Sequence, residues 1–348
     1  MISLRSSGSL IPGKEESMIH GPERFMINQP TDRFPSCHCS SIVELSSGDL
    51  LCCWYAGSGE ARPDVAILQS RLSLGAKEWG PFEVIADTPG LPEGNCVFFL
   101  APDRTLWLFY CIMRGELEGP ARPGVRWSTC TLHAKTSIDE GQTWSESRTL
   151  REKWGGVYRT KPIVLDNGDF ILGLESEYPF SIMMISENQG KDWFFTSPLV
   201  GIPNSHPTLI QRSDGSLLAL LRPGLAPWIA RATSKDRGRT WSEAVNTDLP
   251  NPKAAVDMVQ LRDRRVVLAF NNSPQHRNPL TLALSEDEGE TWPWTRDLVA
   301  EEGAFSYPAI IEDREGLLHV TYTHKRLHIG HIVVYPEWIV RGGSPAFF

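Results

Sequence analysis

The chain reads as all-β and closed into a six-bladed β-propeller, on three observations. An octapeptide recurs four times, a hairpin signal recurs six times, and no stretch carries a sustained helical period. The octapeptides occupy 137–144, 186–193, 234–241 and 285–292 in the frame S-x-D-x-G-x-T-W, with starts 49, 48 and 51 residues apart. A fixed period of this length marks repeated supersecondary units. Within the frame, Asp folds its side chain onto nearby backbone N–H groups and Gly supplies a positive φ. Ser and Thr add local hydrogen bonds, and Trp packs the turn between neighbouring units. The second copy carries Asn188 and Asp192 where the frame has Asp and Thr, and Asn makes the same kind of turn. These acidic residues are therefore assigned to structure and not to catalysis.

The hairpins come next. Each is an apolar strand, a turn and a second apolar strand, at 41–51, 97–109, 162–172, 207–218, 258–268 and 309–320. A third short strand follows each, at 65–69, 131–135, 181–185, 229–232, 280–284 and 329–334. Short β-branched or aromatic runs between Gly and Asp turns are strand signals, and ring closure leaves only short sheet edges. Six units of about 50 residues account for the 348-residue chain without an internal boundary. We therefore expect one propeller domain over 26–348. The polar, Ser- and Gly-rich residues 1–25 form an arm that either closes the ring or stays disordered. The arm has no apolar signal core, so a cytoplasmic location is expected, and no apolar run is long enough to span a bilayer.

A formal net charge of −8 argues against a nucleic-acid partner. The seven Cys all precede residue 131, and an odd number fits free thiols in a reducing compartment. Cys37 and Cys39 would share one strand face with His38 on the other, and no second Cys/His pair stands at zinc spacing. No phosphate-binding Gly-rich loop is present. No cofactor and no metal are expected.

Repeated Asp boxes on six hairpin units resemble the sialidase (neuraminidase) superfamily, closest to bacterial and fungal sialidase-like proteins. The resemblance runs from about residue 35 to the C-terminus. It implies a glycosidase that holds a sugar carboxylate with three Arg residues, whose planar forks match a carboxylate. Arg222, closing the fourth hairpin, matches the second of these, and Arg277, before the strand into the last octapeptide, matches the third. The first falls on His38; Arg33 in Arg33-Phe34-Pro35 imitates its motif five residues too early. The resemblance also implies a Tyr nucleophile, a recognised exception to the two-carboxylate rule, and Tyr307 matches it. The Glu that would take the proton of this Tyr falls on His206, sixteen residues before Arg222. The acid/base Asp matches Asp64, in the loop after the first hairpin. Two changes to His suggest altered chemistry, because His exchanges protons near neutral pH and Arg does not. Lys161 and Asp257 begin inner strands and are expected at the propeller mouth as substrate-binding residues. His319, His324, His328 and His331 are read as closure and packing residues.

Three functions are carried forward. The first is a retaining glycoside hydrolase for an acidic sugar, with Tyr307, His206 and Asp64 catalytic and Arg222, Arg277 and His38 binding. The second is a uronate-directed glycan lyase using a His/Tyr pair. The third is a non-hydrolytic propeller that binds or cyclises a small molecule. In each, the partner is a small acidic glycoside or another small molecule in the mouth.

Overall fold

The structure, a computed structural model, describes residues 21–115, 127–176, 178–342 and 344–345. Strand β1 is Glu23–Met26. Blade 1 contains β2 (Ser36–Glu44), β3 (Leu50–Gly57), β4 (Ala66–Leu72) and β5 (Glu83–Ala86). Blade 2 contains β6 (Glu93–Leu100), β7 (Leu106–Met113), β8 (Cys130–Ser137) and β9 (Arg148–Arg151). Blade 3 has an inner strand split into β10 (Val157–Tyr158) and β11 (Ile163–Val164), then β12 (Phe170–Glu175), β13 (Ser181–Ser186) and β14 (Phe194–Phe195). Blade 4 contains β15 (Asn204–Gln211), β16 (Leu217–Pro223), β17 (Trp228–Ser234) and β18 (Val245–Pro250). Blade 5 contains β19 (Asp257–Gln260), β20 (Val266–Asn271), β21 (Leu280–Ser285) and β22 (Trp294–Val299). Blade 6 contains β23 (Phe305–Glu312), β24 (Leu318–His324) and β25 (His328–Val334). Helix α1 (Pro336–Gly342) follows, and β26 (Ser344–Pro345) pairs with β22.

Each blade is an antiparallel meander, so the chain is a six-bladed propeller. The ring closes when β1 pairs with β25 and becomes the outer strand of blade 6, Glu23 opposite Val333. β1 thus crosses the boundary expected between the arm and the propeller; residues 1–20 lie outside the described residues.

The octapeptides form tight turns with two consecutive left-handed residues, as at Glu140 (φ 59°) and Gly141 (φ 84°). Asp139 accepts hydrogen bonds from the Thr143 amide at 2.9 Å and the Thr143 hydroxyl at 2.5 Å, while Ser137 Oγ accepts from the Gly141 amide at 2.8 Å. The Thr143 hydroxyl and amide, with Ser137, hold the Asp139 carboxyl down at about 2. The turn Gly also lets the preceding blade approach: a Cβ on Gly190 would lie 2.6 Å from the Trp107 ring.

The seam between blades 6 and 1 holds a buried relay. Trp79 Nε1 donates to His331 Nδ1 (3.2 Å), and His331 Nε2 lies 3.0 Å from His319 Nδ1. His319 Nε2 in turn lies 2.9 Å from Asp313 Oδ2. Trp can only donate and a carboxylate can only accept, so both imidazoles are neutral with the proton on Nε2. Phe25 of β1 stacks on His331 at 5.3 Å. Burial, then the neighbouring His319, pushes His331 well below its ordinary range. A depressed His favours the fold above its unfolded pKa of about 6.5, and this contribution is lost as pH falls below that value. Melting temperature is therefore expected to fall between pH 6.5 and pH 5, at up to about 1.4 kcal/mol per pH unit for one such group. A His331→Gln variant, melted over the same range, should show a flatter decline.

Candidate active site

Four inner strands carry a β-bulge at the same level. The register shifts between His38 and Ser41, Gly94 and Val97, Ser205 and Thr208, and Ser306 and Ala309. Each bulge holds a non-Gly residue in the left-handed region: Cys39 (φ 63°), Asn95 (φ 40°), His206 (φ 49°) and Tyr307 (φ 57°). Such residues cost on the order of 1–3 kcal/mol each and persist only where packing enforces them. Bulges re-aim side chains beside functional sites. Here they surround a cavity of about 280 Å³ at one end of the central channel. Its lining is His38, Tyr55, Glu60, Asn95, Trp127, Val157, Glu175, His206, Arg222, Arg277, Tyr307 and Arg326.

Tyr307 is at the centre. Its hydroxyl accepts a hydrogen bond from Arg222 at 2.9 Å. The Arg277 guanidinium lies 5.2 Å from the ring centroid, the His38 ring 4.2 Å and the His206 ring 5.9 Å. Burial raises the Tyr307 phenol above its ordinary range, against the opposing pull of Arg222 and Arg277.

His206 forms a dyad with Glu175, Nε2 to Oε2 at 2.8 Å. Burial holds the imidazole below its ordinary range although Glu175 pulls it up. Burial also works against the Glu175 carboxylate, but the charge and hydrogen bond of His206, with Arg222, bring its pKa below the ordinary value. A neutral imidazole beside an ionised carboxylate donates Nε2–H, which leaves Nδ1 as the lone-pair nitrogen. That Nδ1 is buried and has no hydrogen-bond partner. His38 is also held neutral by burial, then by Arg326, Arg277 and Arg159, and its Nδ1 lies 2.8 Å from Thr323 Oγ1.

Five of the eight expected site residues thus meet in one cavity: Tyr307, His206, His38, Arg222 and Arg277. Three do not line it. The Asp64 carboxylate accepts from the Ser58 amide (2.9 Å) and hydroxyl (2.8 Å) and caps its own loop. Asp257 and Lys161 form an ion pair of 2.8 Å below the bulge layer. The reason is register. β19 begins with Asp257 opposite Ala269, already past the level of the bulges, and Lys161 falls in the gap between β10 and β11. Asp257 there also accepts from Thr208 Oγ1 (2.9 Å) and the Ile310 amide (2.9 Å), joining blades 3, 4, 5 and 6.

The structure adds residues that sequence reasoning missed. Arg326, from the β24–β25 turn, brings a third guanidinium to the cavity and pairs with Glu60 at 2.6 Å. Glu60 also accepts from Trp127 Nε1 at 2.8 Å. Glu60, not Asp64, is therefore the β3–β4 loop carboxylate that lines the cavity. Glu175 could have been found by counting: it stands five residues into β12, as Arg222 stands five into β16. Arg277 makes no ion pair or side-chain hydrogen bond among the described residues. Three guanidiniums against two carboxylates leave the cavity cationic, which suits an anionic ligand. Among the described residues, no cluster of His, Cys, Asp or Glu is placed to hold a metal ion, and all seven Cys are buried free thiols. No helix among the described residues is long and apolar enough to cross a membrane.

Fold and site together define a six-bladed propeller with a buried, Arg-rich tyrosine pocket at one end of its axis. The chain belongs to the BNR repeat-like domain family, which matches residues 48–320. No curated protein matches it in sequence. Solved structures share the fold. A Hadza microbial sialidase superposes with a TM-score of 0.76 at 19% identity, over 88% of this chain and 67% of the other. A Dyadobacter fermentans protein of unknown function gives 0.75 at 16%, over 89% and 97%. The leech intramolecular trans-sialidase, complexed with 2,7-anhydro-Neu5Ac, gives 0.75 at 15%, over 90% and 70%.

Proposed function

We propose that the protein is a retaining glycoside hydrolase for a carboxylate-bearing sugar. The observation that carries this reading is the Tyr307 hydroxyl bonded to Arg222, beside a neutral His206 whose Nδ1 is vacant. Arg277 and Arg222 would clamp the sugar carboxylate, with Arg326 in the place left by His38. Tyr307 O attacks the anomeric carbon as its proton passes to His206 Nδ1, and Glu175 stabilises the imidazolium that forms. The bond to the leaving oxygen breaks, and that oxygen takes a proton from the β3–β4 loop. Glu60 is our choice of donor over Asp64, because it lines the cavity. A substrate carboxylate that draws Arg326 away from Glu60 removes its counter-ion and favours the protonated acid. Water then cleaves the tyrosyl–sugar bond, giving its proton back to Glu60, while the tyrosine recovers its proton from His206.

The direct test is release of sugar from a fluorogenic sialoside. Absence of release from the wild-type protein, across a panel of acidic glycosides, would sink the reading. The pH profile tests the dyad. Neutral His206 is the active form, so kcat/KM should fall in acid as it protonates. Glu175 pulls the pKa of His206 upward, so Glu175→Gln should move the acid limb to lower pH while reducing the maximum rate.

One observation favours the second reading, a uronate lyase. Both cavity carboxylates are already paired, Glu60 with Arg326 and Glu175 with His206. His38, His206 and Tyr307 can supply base and acid without them. A product with new ultraviolet absorbance from an unsaturated uronate would select the lyase.

A further inference from the structure

One charged group in the channel is used by none of these steps. Arg159 lies in the gap between β10 and β11 and is only 1% exposed. Its guanidinium donates to the carbonyls of Ser40 (3.3 Å) and Pro308. Its carbon lies 5.3 Å from the Tyr307 ring centroid. The two carbonyls belong to the residues immediately after Cys39 and Tyr307, the left-handed residues of the blade 1 and blade 6 bulges. Arg159 Nε has no partner, and no carboxylate is paired with the group among the described residues. A buried cation without a counter-ion is costly and is retained only where surrounding structure enforces it.

We propose that Arg159 is a positioning residue for this cavity: from blade 3 it clamps the strained bulges that present His38 and Tyr307, and its unpaired charge opposes a further positive charge on the neighbouring imidazoles. The clamp, reaching from blade 3, explains how the bulges of blades 1 and 6 hold the His38 and Tyr307 rings 4.2 Å apart. Burial is the first cause that lowers both imidazoles; the charge adds to it, on His206 with Arg222 and against Glu175, and on His38 with Arg326 and Arg277. Only a neutral imidazole can accept a proton. The inference rests on this cavity being the working site and not on which bond is broken there.

The test reads histidine ring titrations by NMR without substrate, so a missing hydrolase activity would leave its outcome unaffected. The His206 signal is assigned by its loss in His206→Gln. In the wild type it should titrate below the ordinary value of about 6.5. Arg159→Gln removes the charge and should raise that midpoint. Arg159→Lys keeps the charge and should leave it near the wild-type value. With an active substrate, Arg159→Gln should lower kcat more than it raises KM, with partial rescue in Arg159→Lys. A wild-type midpoint at or above the ordinary value would overturn the proposal. So would an unchanged midpoint in an Arg159→Gln protein that still melts cooperatively. If the Gln variant does not fold, a raised midpoint in Arg159→Lys would overturn it as well.

Discussion

Tyr307→Phe is expected to lower kcat on a fluorogenic sialoside by a factor on the order of 10³, about 4 kcal/mol of barrier, with little change in KM. The ring remains to pack against His38 and under Arg277, so the pocket keeps its shape. What disappears is the one oxygen that Arg222 bonds. Loss of that hydrogen bond should cost about 1 kcal/mol of stability, which separates lost chemistry from lost folding. Retention of full activity in the variant would remove Tyr307 from the reaction. Arg277→Ala should behave oppositely, raising KM strongly, because its guanidinium is free to engage a ligand.

Asp257→Ala is expected to produce the largest loss of stability, roughly 3–5 kcal/mol, because it leaves a charge and two polar groups without their partner. The carboxylate is 2% exposed in its ion pair with Lys161. It receives hydrogen bonds from Thr208 and the Ile310 amide, so removing it loosens four blades together. A fall in melting temperature of about 10 °C is the expected reading. Asp257→Asn, which keeps one acceptor oxygen, turns the other into a donor and loses the charge, should fall between the Ala variant and wild type. The folded fraction should keep its KM. An unchanged melting temperature with a raised KM would return Asp257 to the substrate.

The two variants separate residues that looked alike in the sequence. Tyr307 and Asp257 both stand near the start of an inner strand, in adjacent blades. The β23 bulge turns Tyr307 into the cavity, whereas β19 starts lower and has no bulge, so Asp257 meets its neighbours in the channel. The one extra residue of the bulge, with a two-residue difference in level, decides between chemistry and architecture.

The sequence by itself determined the number of blades, the octapeptide turns and five of the residues that line the pocket. These depend on local chemistry repeated at a fixed period: Asp and Gly in a turn, apolar alternation on either side. Counting from a turn reaches the strand ends, and the resemblance to sialidases singles out Arg222, His206 and Tyr307 there. Glu175 was within reach of the same count, as the blade 3 equivalent of Arg222. Only the tertiary structure decided the rest. Arg326 and Glu60 sit in connecting loops, whose course over the mouth no period constrains. The bulges do not alter the hydrophobic pattern, yet they choose which side chains enter the cavity. The buried charges of Arg159 and Asp257 take their meaning from blades far away in sequence. Burial and opposing charge set the protonation of His38 and His206, and both are properties of the closed ring.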